Sequence, residues 1–70
     1  MTRYLVVFEK AGENYSAFCP DLPGCVATGA TQPETESNIK EAIRMHLEGL
    51  KEDGLPLPAG AASAEYVEAG

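Results

Sequence analysis

The chain has no tryptophan, only two cysteines, five basic side chains and no apolar run longer than Tyr4 to Phe8. Each shortage excludes something. An apolar run of this length falls far short of the ~20 residues a membrane-spanning helix needs, and no basic stretch followed by an apolar core resembles a secretory leader. Two cysteines are too few for the disulfide framework of a small secreted domain, so a reduced, cytoplasmic setting is expected. The basic residues Arg3, Lys10, Lys40, Arg44 and Lys51 are scattered and outnumbered by eleven acidic ones, for a formal charge of −6. Nucleic-acid binding draws most of its affinity from clustered Lys and Arg, so the charge argues against direct DNA or RNA binding and for a basic partner.

What is present is enough for one domain over residues 1–70, with 44% hydrophobic residues. That content excludes a disordered acidic tail. A chain of this size buries only about 60% of the surface its unfolded form exposes. Its core is marginal, and self-association or a partner is expected to supplement it.

Arg3 to Lys10 is β-branched and aromatic on both alternating faces, as in a strand covered on both sides. Turn residues Ala11 to Asn14 lead to a second strand, Tyr15 to Cys19. The segment Cys19-Pro20-Asp21-Leu22-Pro23-Gly24-Cys25 is then a stiff corner. Pro20 and Pro23 each fix φ and restrict the preceding residue, while Gly24 is free to take positive φ. A short third strand, Cys25 to Thr28, completes an antiparallel meander.

Thr31-Gln32-Pro33-Glu34 has the form of a helix N-terminal capping box. From Glu34 to Asp53 the apolar residues Ile39, Ala42, Ile43, Leu47 and Leu50 recur at helical spacing. Gly54 suits the left-handed position after the helix, and Pro56 and Pro58 prevent continuation. Gly49 is costly in a helix interior unless another backbone packs against it. Ala64 to Glu68 alternates weakly and reads as a fourth, edge strand. The expected fold is α+β, in the order β-β-β-α-β, with the last strand parallel to the first after a right-handed crossover.

No constellation for catalysis emerges. Cys19 and Cys25 read as small buried hydrophobes and lack the spacing of zinc ligands. His46 falls inside the apolar helical arc, with no orienting carboxylate or nucleophile that spacing can name. A small metal-dependent hydrolase using His46 with Glu48, Glu52 and Asp53 is the alternative from another class, but carboxylates in series at a helix end are ordinarily a solvated face. No cofactor is implied. The candidate contact residues are Asp21 and Leu22, expected to project from the corner, and the aromatics Tyr4, Tyr15 and Tyr66, a residue class that anchors interfaces.

Taken together, these residues resemble the HicB-like antitoxin family of type II toxin–antitoxin systems. The resemblance runs from Tyr4 to about Pro58: the first strand, Tyr15-Ser16, the signature Pro20-Asp21-Leu22-Pro23-Gly24-Cys25, Gly29-Ala30-Thr31, Glu41-Ala42-Ile43, Leu47-Glu48-Gly49-Leu50, and Asp53-Gly54 leading to Pro56 and Pro58. It implies a domain resembling a truncated ribonuclease H fold, a homo-oligomer (dimer or tetramer), and a role in blocking a small basic HicA-type mRNA-cleaving toxin. Ribonuclease H enzymes need a carboxylate within the first strand, and Tyr4 to Phe8 contains none, so no nuclease activity is implied. Full antitoxins of the family carry a C-terminal DNA-binding segment; with the chain ending at Gly70, direct DNA binding is not expected. An orphan, homo-oligomeric relative without a toxin partner is the alternative within the same family.

Overall fold

A computed structural model of the chain, describing residues 2–70, contains three strands and one helix: β1 (Val7–Ala11), β2 (Asn14–Phe18), β3 (Val26–Gly29) and α1 (Gln32–Glu52). The strands form one antiparallel sheet in the order β1-β2-β3, so the α+β class and the meander are as expected. The β1–β2 register pairs Val7 with Phe18 and Ala11 with Asn14, and the β2–β3 register pairs Phe18 with Val26 and Tyr15 with Gly29. Gly12, at φ +64°, makes the tight turn between β1 and β2.

Two expectations are corrected. The first strand starts at Val7 rather than Arg3, because its partner β2 ends at Phe18. Past Phe18 the chain enters the corner, where Pro20 has no N–H to extend a ladder. The expected fourth strand, Ala64 to Glu68, does not form among the described residues. Residues 64–66 do run beside residues 5–8 across a shallow cleft. No backbone hydrogen bonds bridge the two segments, and the approach from Ala59 to Ala62 consists of alanine and glycine, residues that favour extended pairing poorly.

The helix is bounded as its end residues dictate. Thr31, with extended backbone (φ −132°, ψ 162°), accepts a hydrogen bond on its side chain from the Glu34 N–H at 3.2 Å. Pro33 sits in the first turn, where its missing N–H costs nothing. At the other end Gly54 has φ +70°, the Leu55 N–H donates to the Leu50 carbonyl at 2.9 Å and the Gly54 N–H donates to the Lys51 carbonyl at 3.1 Å. This is a Schellman closure, in which the glycine supplies the left-handed residue that lets the last carbonyls be satisfied.

The helix covers one face of the sheet, lying chiefly over β3 and β2. Between them sit the buried Ala17, Cys19, Leu22, Cys25 and Ile39, with Tyr4, Val6, Phe8, Ala27, Ala42, Ile43 and Leu47 packed around them. Gly29 marks the closest approach of β3 to the helix. A Cβ there would lie 2.6 Å from the Thr35 hydroxyl and 2.8 Å from its backbone nitrogen. Gly49, by contrast, has nothing within 4 Å of where its Cβ would lie, so no backbone packs there and the glycine carries only its helix penalty.

These positions predict opposite outcomes for two glycine substitutions. Gly49→Ala should raise stability by about 0.5–1 kcal/mol. Gly24→Val, which forces a β-branched residue into φ +81°, should lower it by roughly 1–3 kcal/mol. Paired urea melts measure both; equal shifts in either direction would contradict the backbone assignment.

Candidate partner-binding site

The corner between β2 and β3 is built from two successive turns. The Leu22 N–H donates to the Cys19 carbonyl at 3.1 Å, closing a turn with Pro20 at its second position. The Cys25 N–H donates to the Leu22 carbonyl at 3.0 Å, closing a second with Pro23 and Gly24 at its centre. Proline followed by a glycine at positive φ is the arrangement of a type II turn. A third bond, from the Cys19 N–H to the Cys25 carbonyl at 3.1 Å, ties the ends together. With these bonds made, the corner can be buried in part without orphaned backbone groups.

The corner does not present its leucine. Leu22 is 0% exposed, turned into the core between the two cysteines and the helix residue Ile39. The expectation that it projects toward a partner is corrected: a large apolar side chain at a turn whose backbone bonds are satisfied gains more from burial, about 1.5–3 kcal/mol, than from exposure. Cys19 and Cys25 are buried and unbridged, and burial, with the neighbouring Cys19, pushes the Cys25 thiol up from its ordinary pKa. Asp21 is half-buried, and its Oδ2 accepts a hydrogen bond from the Ala62 N–H at 3.2 Å.

The aromatics divide. Tyr4 is half-buried and donates its hydroxyl hydrogen to the Pro58 carbonyl at 2.6 Å. With Asp21, it straps the segment after the helix against the sheet end, where Gly60 passes so close to the Arg3 carbonyl that a Cβ would collide with it. Tyr15 is half-buried, with the Lys10 ammonium 5.9 Å from its ring centroid, a cation–π contact. Tyr66 is fully exposed and touches none of these groups. The candidate contact residues are therefore not one patch: Tyr4 and Asp21 are strap residues, Leu22 is core, and Tyr15 lies at the opposite end of the sheet.

The helix's outer side carries Glu36–Lys40 (3.2 Å), Glu41–Arg44 and Arg44–Glu48 (2.6 Å) ion pairs, all solvent-exposed. Such pairs stabilise a helix by only a few tenths of a kcal/mol each. Hydrogen bonding from Arg44 holds the Glu41 carboxyl below its usual range, and the flanking glutamates push the guanidinium up. His46 is half-buried on the helix. Among the described residues, no three His, Cys, Asp or Glu side chains come together in a way that could hold a metal ion, and no helix is long and apolar enough to cross a membrane.

The face of the sheet away from the helix holds residues that the candidate list lacks. Val7, Phe18 and Val26 are directly opposed across the three strands, on the opposite side from Phe8, Ala17 and Ala27. Val26 is 64% exposed and Phe18 37%. The parity of Tyr15 to Cys19 carries the signal: Ala17 and Cys19 facing the core place Phe18 outward. Thr35 was also absent from the expected core, yet it is fully buried, its hydroxyl donating to the Thr31 carbonyl at 2.7 Å. Its position one helical turn before Ile39 on the same face is the signal for it.

Leu22→Ala should cost about 2–5 kcal/mol of global stability, as truncations of a fully buried leucine do. Tyr4→Phe should cost about 1 kcal/mol and raise amide exchange at residues 59–62 well before the sheet. Exchange monitored residue by residue separates these outcomes; a uniform loosening of the sheet in Tyr4→Phe would show that the strap is not a separate element.

The family model described as the HicB-like antitoxin of bacterial toxin–antitoxin systems matches residues 4–69. The chain is 39% identical over 64 residues to an uncharacterized 14.9 kDa protein from the rep-hol intergenic region of Haemophilus phage HP1, covering 91% of this chain and 48% of the phage protein. It thus spans about half the length of that relative. It is 43% identical over 56 residues to a UPF0150 protein of Synechocystis, covering 79% of this chain and 71% of the relative. To a UPF0150 protein of Thermoplasma acidophilum it is 40% identical over 57 residues, covering 80% and 83%. No solved structure matches.

Proposed function

The chain belongs to the HicB-like antitoxin family of bacterial toxin–antitoxin systems, and on that premise we propose that it binds and neutralises a small basic HicA-type mRNA-cleaving toxin in the cytoplasm. The observation that carries the reading is the family match over residues 4–69, which spans the corner, the sheet and the helix. The formal charge of −6 supports it independently. An acidic domain attracts a basic partner at long range, which speeds encounter and disfavours wrong partners of like charge. The same reading takes the three strands and helix as a truncated ribonuclease H-like arrangement that has become a binding scaffold without catalytic groups. Neutralisation then requires only that the complex cover the toxin's active surface, a stoichiometric task rather than a catalytic one.

Self-association is part of the proposal. β1 pairs only with β2 among the described elements, and residues 9–11 of its outer edge lie outside the cleft that residues 5–8 share with residues 64–66; an unpaired edge of this kind is a template for another strand. A second copy at this edge would lengthen the sheet and supplement the core of a 70-residue chain. The orphan alternative keeps this association and drops the toxin.

The test is to coexpress the protein with the product of the adjacent gene. A stable complex is expected, with mRNA cleavage by that protein suppressed at a molar excess of this chain. Association should slow as salt is raised from 50 to 500 mM (a chosen range), because exposed charges are screened over about 10 Å or less. No complex and no relief of toxicity would sink the antitoxin reading and leave the orphan one.

A further inference from the structure

The helix-free face of the sheet is unassigned by the family match; Phe18 and Val26 are exposed on it, while Val7, at its β1 end, is half-buried and lines the cleft shared with residues 64–66. Val7, Phe18 and Val26 form a row across all three strands, about 10 Å wide at ordinary strand spacing. Large apolar side chains that stay exposed side by side, rimmed by polar ones, mark interaction surfaces more often than scattered ones do. The next row on the same face is Glu9 opposite Ser16 opposite Thr28. Glu9 is exposed and is the only charged strand residue on this face. Lys10 points to the other side, over Tyr15.

This pattern discriminates between occupants. A second copy docking face to face would set apolar rows together but would also bring two Glu9 carboxylates onto one interface, between chains that each carry −6. Like charges juxtaposed at an interface are costly. The strapped segment of this chain is held by Tyr4 and Asp21, and its residues 64–66 share a cleft with Val7 but not with Phe18 or Val26. A basic partner with an apolar contact surface satisfies both rows at once: its apolar side chains cover Phe18 and Val26, and a Lys or Arg faces Glu9.

We propose that the helix-free face centred on Val7, Phe18 and Val26, with Glu9 beside them, is the surface on which the basic toxin docks. The inference rests on the antitoxin reading and adds where the partner sits. The exposed apolar pair supplies the centre of the contact, and Glu9 sets its orientation. The helix's ion-paired outer side remains in solvent in the complex.

The experiment measures binding of a HicA-type toxin, made catalytically inactive, to four forms of the chain: unmodified, Val26→Glu, Phe18→Ala and Ser37→Glu. Val26 and Ser37 are both exposed, so each glutamate adds the same charge at a site that does not disturb the core; circular dichroism and melting verify the fold. Val26→Glu and Phe18→Ala are expected to weaken binding by about tenfold or more, as truncation or charging of a central contact does, with Ser37→Glu unchanged. Glu9→Lys, which changes the formal charge only from −6 to −4, should reduce the salt dependence of association without abolishing it. If the unmodified chain binds and Val26→Glu and Phe18→Ala bind equally well, the docking face is overturned while the antitoxin reading stands. Were Val26→Glu to turn an oligomer into a monomer and leave toxin binding intact, the face would instead join copies of this chain, and the inference would fail. Absence of binding by the unmodified chain overturns the antitoxin reading and this inference with it.

Discussion

Three backbone hydrogen bonds between Cys19 and Cys25 hold the constraint on which the rest of the molecule depends. They close two turns in seven residues, and they let Leu22 reverse direction into the core instead of outward. From this follow the length of the sheet, which stops at Phe18 because the chain must turn, and the position of β3 beside β2. The helix is then anchored by Ile39 against Leu22 and the cysteines, and its start is fixed by Gly29 allowing Thr35 to approach β3. A domain this small has few buried side chains, so one leucine inside a turn carries a large share of the packing.

Much of this was legible in the residues. The Pro-Gly chemistry of the corner, the Thr31 cap, the Gly54 stop and the order of strands and helix are local rules, and local rules are what a sequence displays directly. The direction of Leu22 was not legible, because a turn residue's side chain is placed by whether the core offers a cavity, which is a tertiary fact. The fourth strand failed for a related reason. Alternation in Ala64 to Glu68 is compatible with pairing, but a ladder needs an extended partner, and residues 2–6 precede β1 without joining it. The placement of the candidate contact residues was the least legible part: aromatic type does not show that Tyr4 straps the segment after the helix, whereas strand parity does show Phe18 and Val26 exposed on the helix-free face.

The resulting picture is of a scaffold with two unlike sides. One side of the sheet is closed by an amphipathic helix whose outer face is a lattice of weak ion pairs, suited to solvent. The other is open, apolar at one end and acidic at Glu9, suited to a partner. The segment after the helix is held by single hydrogen bonds from Tyr4 and to Asp21, and its residues 64–66 share a cleft with Val7 but not with Phe18 or Val26. In a chain of the HicB-like antitoxin family, this face is the surface we propose for recognition.

The central claim is that this chain works by presenting its helix-free sheet face to a basic toxin. Hydrogen exchange on the free chain and on its complex with that toxin tests it most directly. Protection should rise on binding at the strand amides of residues 7–9, 16–18 and 26–28, with α1 unchanged. New protection confined to the helix, with the sheet exchanging as in the free chain, would contradict the account.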